Sequence, residues 1–127
     1  MSRAVRSTAL LALLPLSLAA TGGAGASSPQ VHAARSCSLS VYEQRHLGAS
    51  YVTSLSVRKT TCKKGKAVVR AYHKCRRAHG WKGKCRHTVK GYSCKRHIID
   101  SSPAQYDAKV TCRNGAKRVV HTYTQNK

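Results

Sequence analysis

The chain predicts an α+β fold: a small disulfide-stabilised domain with one amphipathic helix and about four or five strands. Three observations carry that expectation. Six cysteines fall within 127 residues, behind an N-terminal segment that reads as an export leader. Cys62 to Arg77 repeats its apolar residues at the helical period, and several other stretches alternate apolar and polar residues as strands do.

Residues 1–26 form the expected signal peptide, cleaved after Ala26. Arg3 and Arg6 supply a positive start, Thr8 to Ala20 is an apolar run, and Ala24-Gly25-Ala26 is a small-x-small cleavage signal before Ser27. A membrane anchor is the other reading, but a span needs about 20 unbroken apolar residues, and this run is shorter and holds Pro15. Residues 27–35 (SSPQVHAAR) have no periodicity and read as a disordered tail. Residues 36–127 are then a single secreted domain, expected to be monomeric.

Ser38 to Tyr42 and Tyr51 to Val57 alternate with a period of two and are expected as strands, joined through His46 to Ser50 with Gly48 at the turn. Thr60 or Thr61 caps the helix that follows. At 100° per residue, Cys62, Gly65, Val69, Tyr72 and Cys75 share one side, with Val68 at its edge. Lys63, Lys66, Arg70, Lys74 and Arg77 share nearly the opposite side, an unbroken cationic stripe. Gly80-Trp81-Lys82-Gly83-Lys84 reads as a loop. Val89 to Arg96 reads as a strand with Tyr92 and Cys94 on one face, and Ser101-Ser102-Pro103 as a polar link. Ala108 to Arg113 and Lys117 to Thr124 flank Asn114-Gly115, the pair preferred in a two-residue hairpin turn. Pairing across it sets Cys112 near Arg118 or Val119.

Six cysteines allow fifteen pairings. Cys75 and Cys85 can close a short ring around the basic loop. The remaining cysteines lie where the core is expected, which suggests Cys62 with Cys94 and Cys37 with Cys112. An alternative use of the same residues is a zinc site, since His73, Cys75, Cys85 and His87 make a valid tetrahedral set. The spacing is not that of a zinc finger, and neighbouring cations repel the metal, so no cofactor is expected.

The helix motif C-x-x-G-x-A-V-V-x-A-Y (Cys62 to Tyr72), the G-Y-x-C strand (Gly91 to Cys94) and V-x-C-x-x-G (Val110 to Gly115) resemble a group of small secreted actinobacterial proteins of unknown function. The resemblance covers roughly residues 50–124. It implies a helix packed on an antiparallel sheet and carries no catalytic residues, and the Cys75 and Cys85 pair is an addition to its pattern.

Charge gives the functional expectation. Taking Arg3 and Arg6 from the 24 Lys and Arg leaves 22 in the exported part, against Glu43, Asp100 and Asp107. No acid lies between Glu43 and Asp100. Fixed positive charge on a rigid frame attracts polyanions: nucleic acid, teichoic acid or other envelope phosphate polymers, acidic polysaccharide, or an anionic membrane surface. The candidate contacts are Lys63, Lys66, Arg70, Lys74 and Arg77 on the helix and Lys82, Lys84 and Arg86 in the loop, with Trp81 available to stack. The bland alternative is a basic domain with no specific ligand.

Enzyme classes that need paired carboxylates are starved of them by three acids in all. A ribonuclease built from His87, His97 or His121 with Lys90, and a protease inhibitor presenting Arg76 to Lys84, are the competing readings.

Overall fold

The computed structural model describes Gly25 and residues 32–127. The expected leader, Gly25 aside, and the tail up to Val31 lie outside the described residues. No helix among the described residues is long and apolar enough to cross a membrane.

The elements are β1 (Arg35–Ser36), α1 (Val41–His46), β2 (Tyr51–Arg58), α2 (Cys62–Arg77), β3 (Ser93–Ser101), β4 (Gln105–Asn114) and β5 (Lys117–Asn126). The strands form one antiparallel sheet in the order β1-β2-β5-β4-β3. α2 lies on one face of it, as the α+β expectation requires. Its buried residues are Gly65, Val68, Val69, Tyr72, His73, Cys75 and Arg76. They share one core with Val52, Leu55 and Val57 of β2, Val119 and Tyr123 of β5, and Tyr106, Ala108, Val110 and Cys112 of β4, where His121 of β5 is also buried. Gly65 permits the close approach, since a Cβ there would stand 2.7 Å from Val57 Cγ1.

α2 has its expected bounds, and Thr61 Oγ1 caps it by accepting the Lys64 N–H at 3.1 Å. Ser38 to Tyr42 is not the expected strand. Ser40 Oγ accepts the Glu43 N–H and the Glu43 carboxylate accepts the Ser40 N–H, a capping box that starts α1. Two satisfied donors outweigh a five-residue alternation. Arg35, expected in the tail, pairs with Val57 in β1.

β3 starts later than expected and runs further, because Val89 and Tyr92 exchange backbone hydrogen bonds across Lys90 and Gly91, both at positive φ. In the last hairpin the turn residues are Gly115 and Ala116, with Asn114 paired to Lys117, one position later than Asn114-Gly115. Gly115 alone has positive φ, as the first central residue of a type II′ turn does. Cys112 still faces Val119.

The disulfides are Cys37–Cys62, Cys75–Cys85 and Cys94–Cys112. The local ring is as expected, whereas Cys62–Cys94 and Cys37–Cys112 do not form. Strand order decides this. Cys37 follows β1 at the sheet edge, held to Leu55 of β2, while Cys112 lies on β4 beyond β5. Cys94 stands directly opposite Cys112 in the β3–β4 register.

Candidate polyanion-binding surface

The described residues include 22 Lys and Arg, all those left after Arg3 and Arg6 are set aside. Among the described residues one ion pair forms, Lys66 Nζ to Glu43 Oε1 at 2.6 Å. That contact, with the Ser40 backbone, holds the Glu43 carboxyl below the usual range. It also removes Lys66 from the free helix stripe. Lys63, Arg70, Lys74 and Arg77 are exposed as expected. Lys90 joins Arg70 and Lys74 around a groove of about 420 Å³ beside the helix.

The loop is held from beneath by buried arginine. Arg76, though charged and next to the stripe in sequence, is fully buried. Its Nε donates to His73 Nδ1 at 2.7 Å, Nη1 to Trp81 O and Tyr106 Oη, and Nη2 to Gln125 Oε1. The Tyr123 ring lies 4.9 Å from its guanidinium carbon. No carboxylate joins these acceptors.

The tyrosines do not supply one either. Burial raises Tyr72 and Tyr123, and burial with the neighbouring Tyr123 hydroxyl pushes Tyr106 up to about 12. All three stay neutral. The charge of Arg76 is therefore held by dipoles alone, at a site where an unpaired ion is costly.

Those bonds also fix the protons of two buried histidines. His73 Nδ1 accepts from Arg76, so a neutral His73 carries its proton on Nε2. That proton points at His121 Nε2, 3.1 Å away, and His121 is then protonated on Nδ1, which has no partner. Burial and neighbouring positive charge push His73 well below the ordinary histidine value, and burial with Arg76 pushes His121 down to about 3. Both rings stay neutral.

Outward from this network, Trp81 O accepts from Arg76 and Tyr106, and Arg96 donates to Lys82 O and Gly83 O. The loop turns its carbonyls inward, and Lys82, Lys84 and Arg86 remain exposed outside. A methyl at Gly83 would run into the carbonyl oxygen of Arg76. Trp81 is 40% exposed, with Lys82 Nζ 4.6 Å and Lys127 Nζ 5.8 Å from its ring centroid. A base or sugar stacking there competes with those cations.

The uncovered face of the sheet carries a second basic surface that the sequence reading missed. Arg113 of β4 pairs in register with Arg118 of β5, and Arg118 with Arg58 of β2. Arginines in register on adjacent strands have Cβ atoms about 5 Å apart, where like charges repel. The Nε atoms of Arg58 and Arg118 are buried without a hydrogen-bond partner. Lys95, His97 and Lys109 continue the same face around a groove of about 410 Å³, and Lys109, Arg118 and Arg58 border another of about 310 Å³ near His32. Strand alternation was the available signal: Lys109 and Arg113 alternate with Val110 and Cys112.

The zinc set and the pairing of His97 with His121 are not assembled. Cys75, Cys85 and His87 lie close together, but their two sulfurs are joined in a disulfide and His73 is turned into the core. His121 is buried on the covered face of the sheet, whereas His97 lies in the groove on the other. Arg76, first residue of the expected inhibitor loop, is buried. No family model, curated protein or solved structure matches the chain.

Proposed function

We propose that the chain is a secreted cationic protein that binds extended polyanions, such as nucleic acid, teichoic acid, acidic polysaccharide or an anionic membrane surface. The observation that carries the reading is the Arg113, Arg118 and Arg58 row, like charges set across three neighbouring strands. Such a row costs stability in the free protein, and an anion laid across it removes the repulsion. Lys95 and Lys109 extend the row on the same face. The helix stripe and the loop enlarge the positive field rather than define the contact, because Lys66 is paired and Trp81 is flanked by cations.

Three disulfides accord with export, as does the resemblance to small secreted actinobacterial proteins, membership of which is part of this proposal. The test is capture of the oxidised protein on DNA, RNA, teichoic acid and anionic vesicles at two salt concentrations. Binding that falls steeply with salt is the expected result. Binding to none of them at low salt removes the reading.

A further inference from the structure

A further basic concavity differs from those of the open face in how its charges are held. It lies on the covered side of the sheet, where the loop after α2 reaches β3, and has a volume of about 350 Å³. Lys82, Lys84, Arg96 and Lys127 line it with Tyr106, Ser101 and Ile98, and no carboxylate does. Four cations converge on a space at the lower end of the size range of small-molecule sites, about 300 to 1,000 Å³.

The pocket's walls are set before any ligand arrives. Arg96 is locked by Gly83 O at 3.0 Å, Lys82 O at 3.2 Å and the Tyr106 hydroxyl, and its guanidinium carbon lies 5.6 Å from the Tyr106 ring centroid. Lys127 Nζ donates to Ser102 O and Ser101 Oγ. Behind them, Arg76 and the Cys75–Cys85 disulfide hold the two ends of the loop. A site with two of its four cations already held loses less entropy on binding. Ile98, 41% exposed, gives a ligand's carbon skeleton an apolar surface.

We infer that this pocket binds a small phosphomonoester, of the size of a phosphorylated sugar. Three ammonium groups and one guanidinium match a dianion with three terminal oxygens, and a volume of about 350 Å³ suits a ligand of that size. The inference does not depend on polymer binding at the open face.

Trp81 is the sole tryptophan of the chain, and two of the lining lysines sit against its ring, so its emission reports on the pocket directly. The oxidised protein is titrated with glucose 6-phosphate and with glucose, by fluorescence and by calorimetry, at constant ionic strength. Glucose 6-phosphate gives saturable binding and glucose gives none. Lys84→Gln and Lys127→Gln each weaken it about tenfold, the scale of one charge-assisted contact. Binding also weakens as pH falls below about 6, where the phosphate loses its second charge. Arg118→Gln, on the other face, leaves it unchanged.

No saturation in either measurement overturns the inference. So does an equal loss in Arg118→Gln, which would make the interaction one of net charge alone. Loss of polymer binding in Arg118→Gln with glucose 6-phosphate binding intact would separate the two sites.

Discussion

The two faces of one sheet treat arginine in opposite ways. On the covered face, Arg76 is fully buried and almost every donor has a neutral acceptor: an imidazole nitrogen, a carbonyl, a phenol and an amide. On the open face, Arg58, Arg113 and Arg118 stand in register with each other and with no acid among their cross-strand partners. The first arrangement is satisfied from within and organises the loop above it. The second is left unsatisfied by the fold, and under the proposed function an external anion completes it. A single residue type thus serves as scaffold where its partners are built in and as contact where they are not.

The contrast breaks first if Arg76 proves dispensable. Arg76→Met leaves His73 Nδ1 and Gln125 Oε1 without their donor, and is expected to cost about 3 to 5 kcal/mol in denaturant unfolding, whereas Arg118→Met changes stability little. Acid sharpens it next. His73 and His121 have folded values below the ordinary 6.5, so the unfolded chain takes up protons first. Their contribution to stability is complete above pH 6.5 and is lost as pH falls, through about 3 for His121 and lower still for His73. The expected slope is up to about 1.4 kcal/mol per pH unit for each histidine, read from urea midpoints across that window.

Opening the ring around the loop has a smaller expected effect. Replacing Cys75 and Cys85 by alanine removes a short closed loop and should cost about 2 to 3 kcal/mol, with Trp81 emission shifting towards that of a solvated indole. Least of all for stability is Arg118→Glu. It converts two like-charged cross-strand pairs into opposite ones and should raise stability by a few tenths of a kcal/mol while weakening polyanion binding. A destabilised Arg118→Glu would mean that the open face is held by contacts other than those described.

α2 was legible in the sequence, down to its bounds and to a cap at Thr60 or Thr61, because sixteen residues sustain the helical period. Arg76 was not, since its polar burial depends on acceptors from β4, β5 and the loop, distant in sequence. The Ser40 to Glu43 capping box was written in the sequence and was outvoted by a short alternation. The Cys37–Cys62 and Cys94–Cys112 bridges required strand order and register, which the local pattern does not contain. The arginine row has the same origin. Arg58, Arg113 and Arg118 each sit at an outward strand position, but their alignment exists only once β2, β5 and β4 are neighbours. The helix stripe was visible because one element carries it whole.

The central claim is that the open face carries polyanion binding and that charge is the mechanism. The direct test is the salt dependence of binding to duplex DNA for the native protein and for Arg58→Gln/Arg113→Gln/Arg118→Gln. With about five phosphates neutralised, log affinity should fall against log salt with a slope near −4.5, and the triple variant should bind more weakly with a slope of about −2. An unchanged affinity and slope in the triple variant would contradict the account.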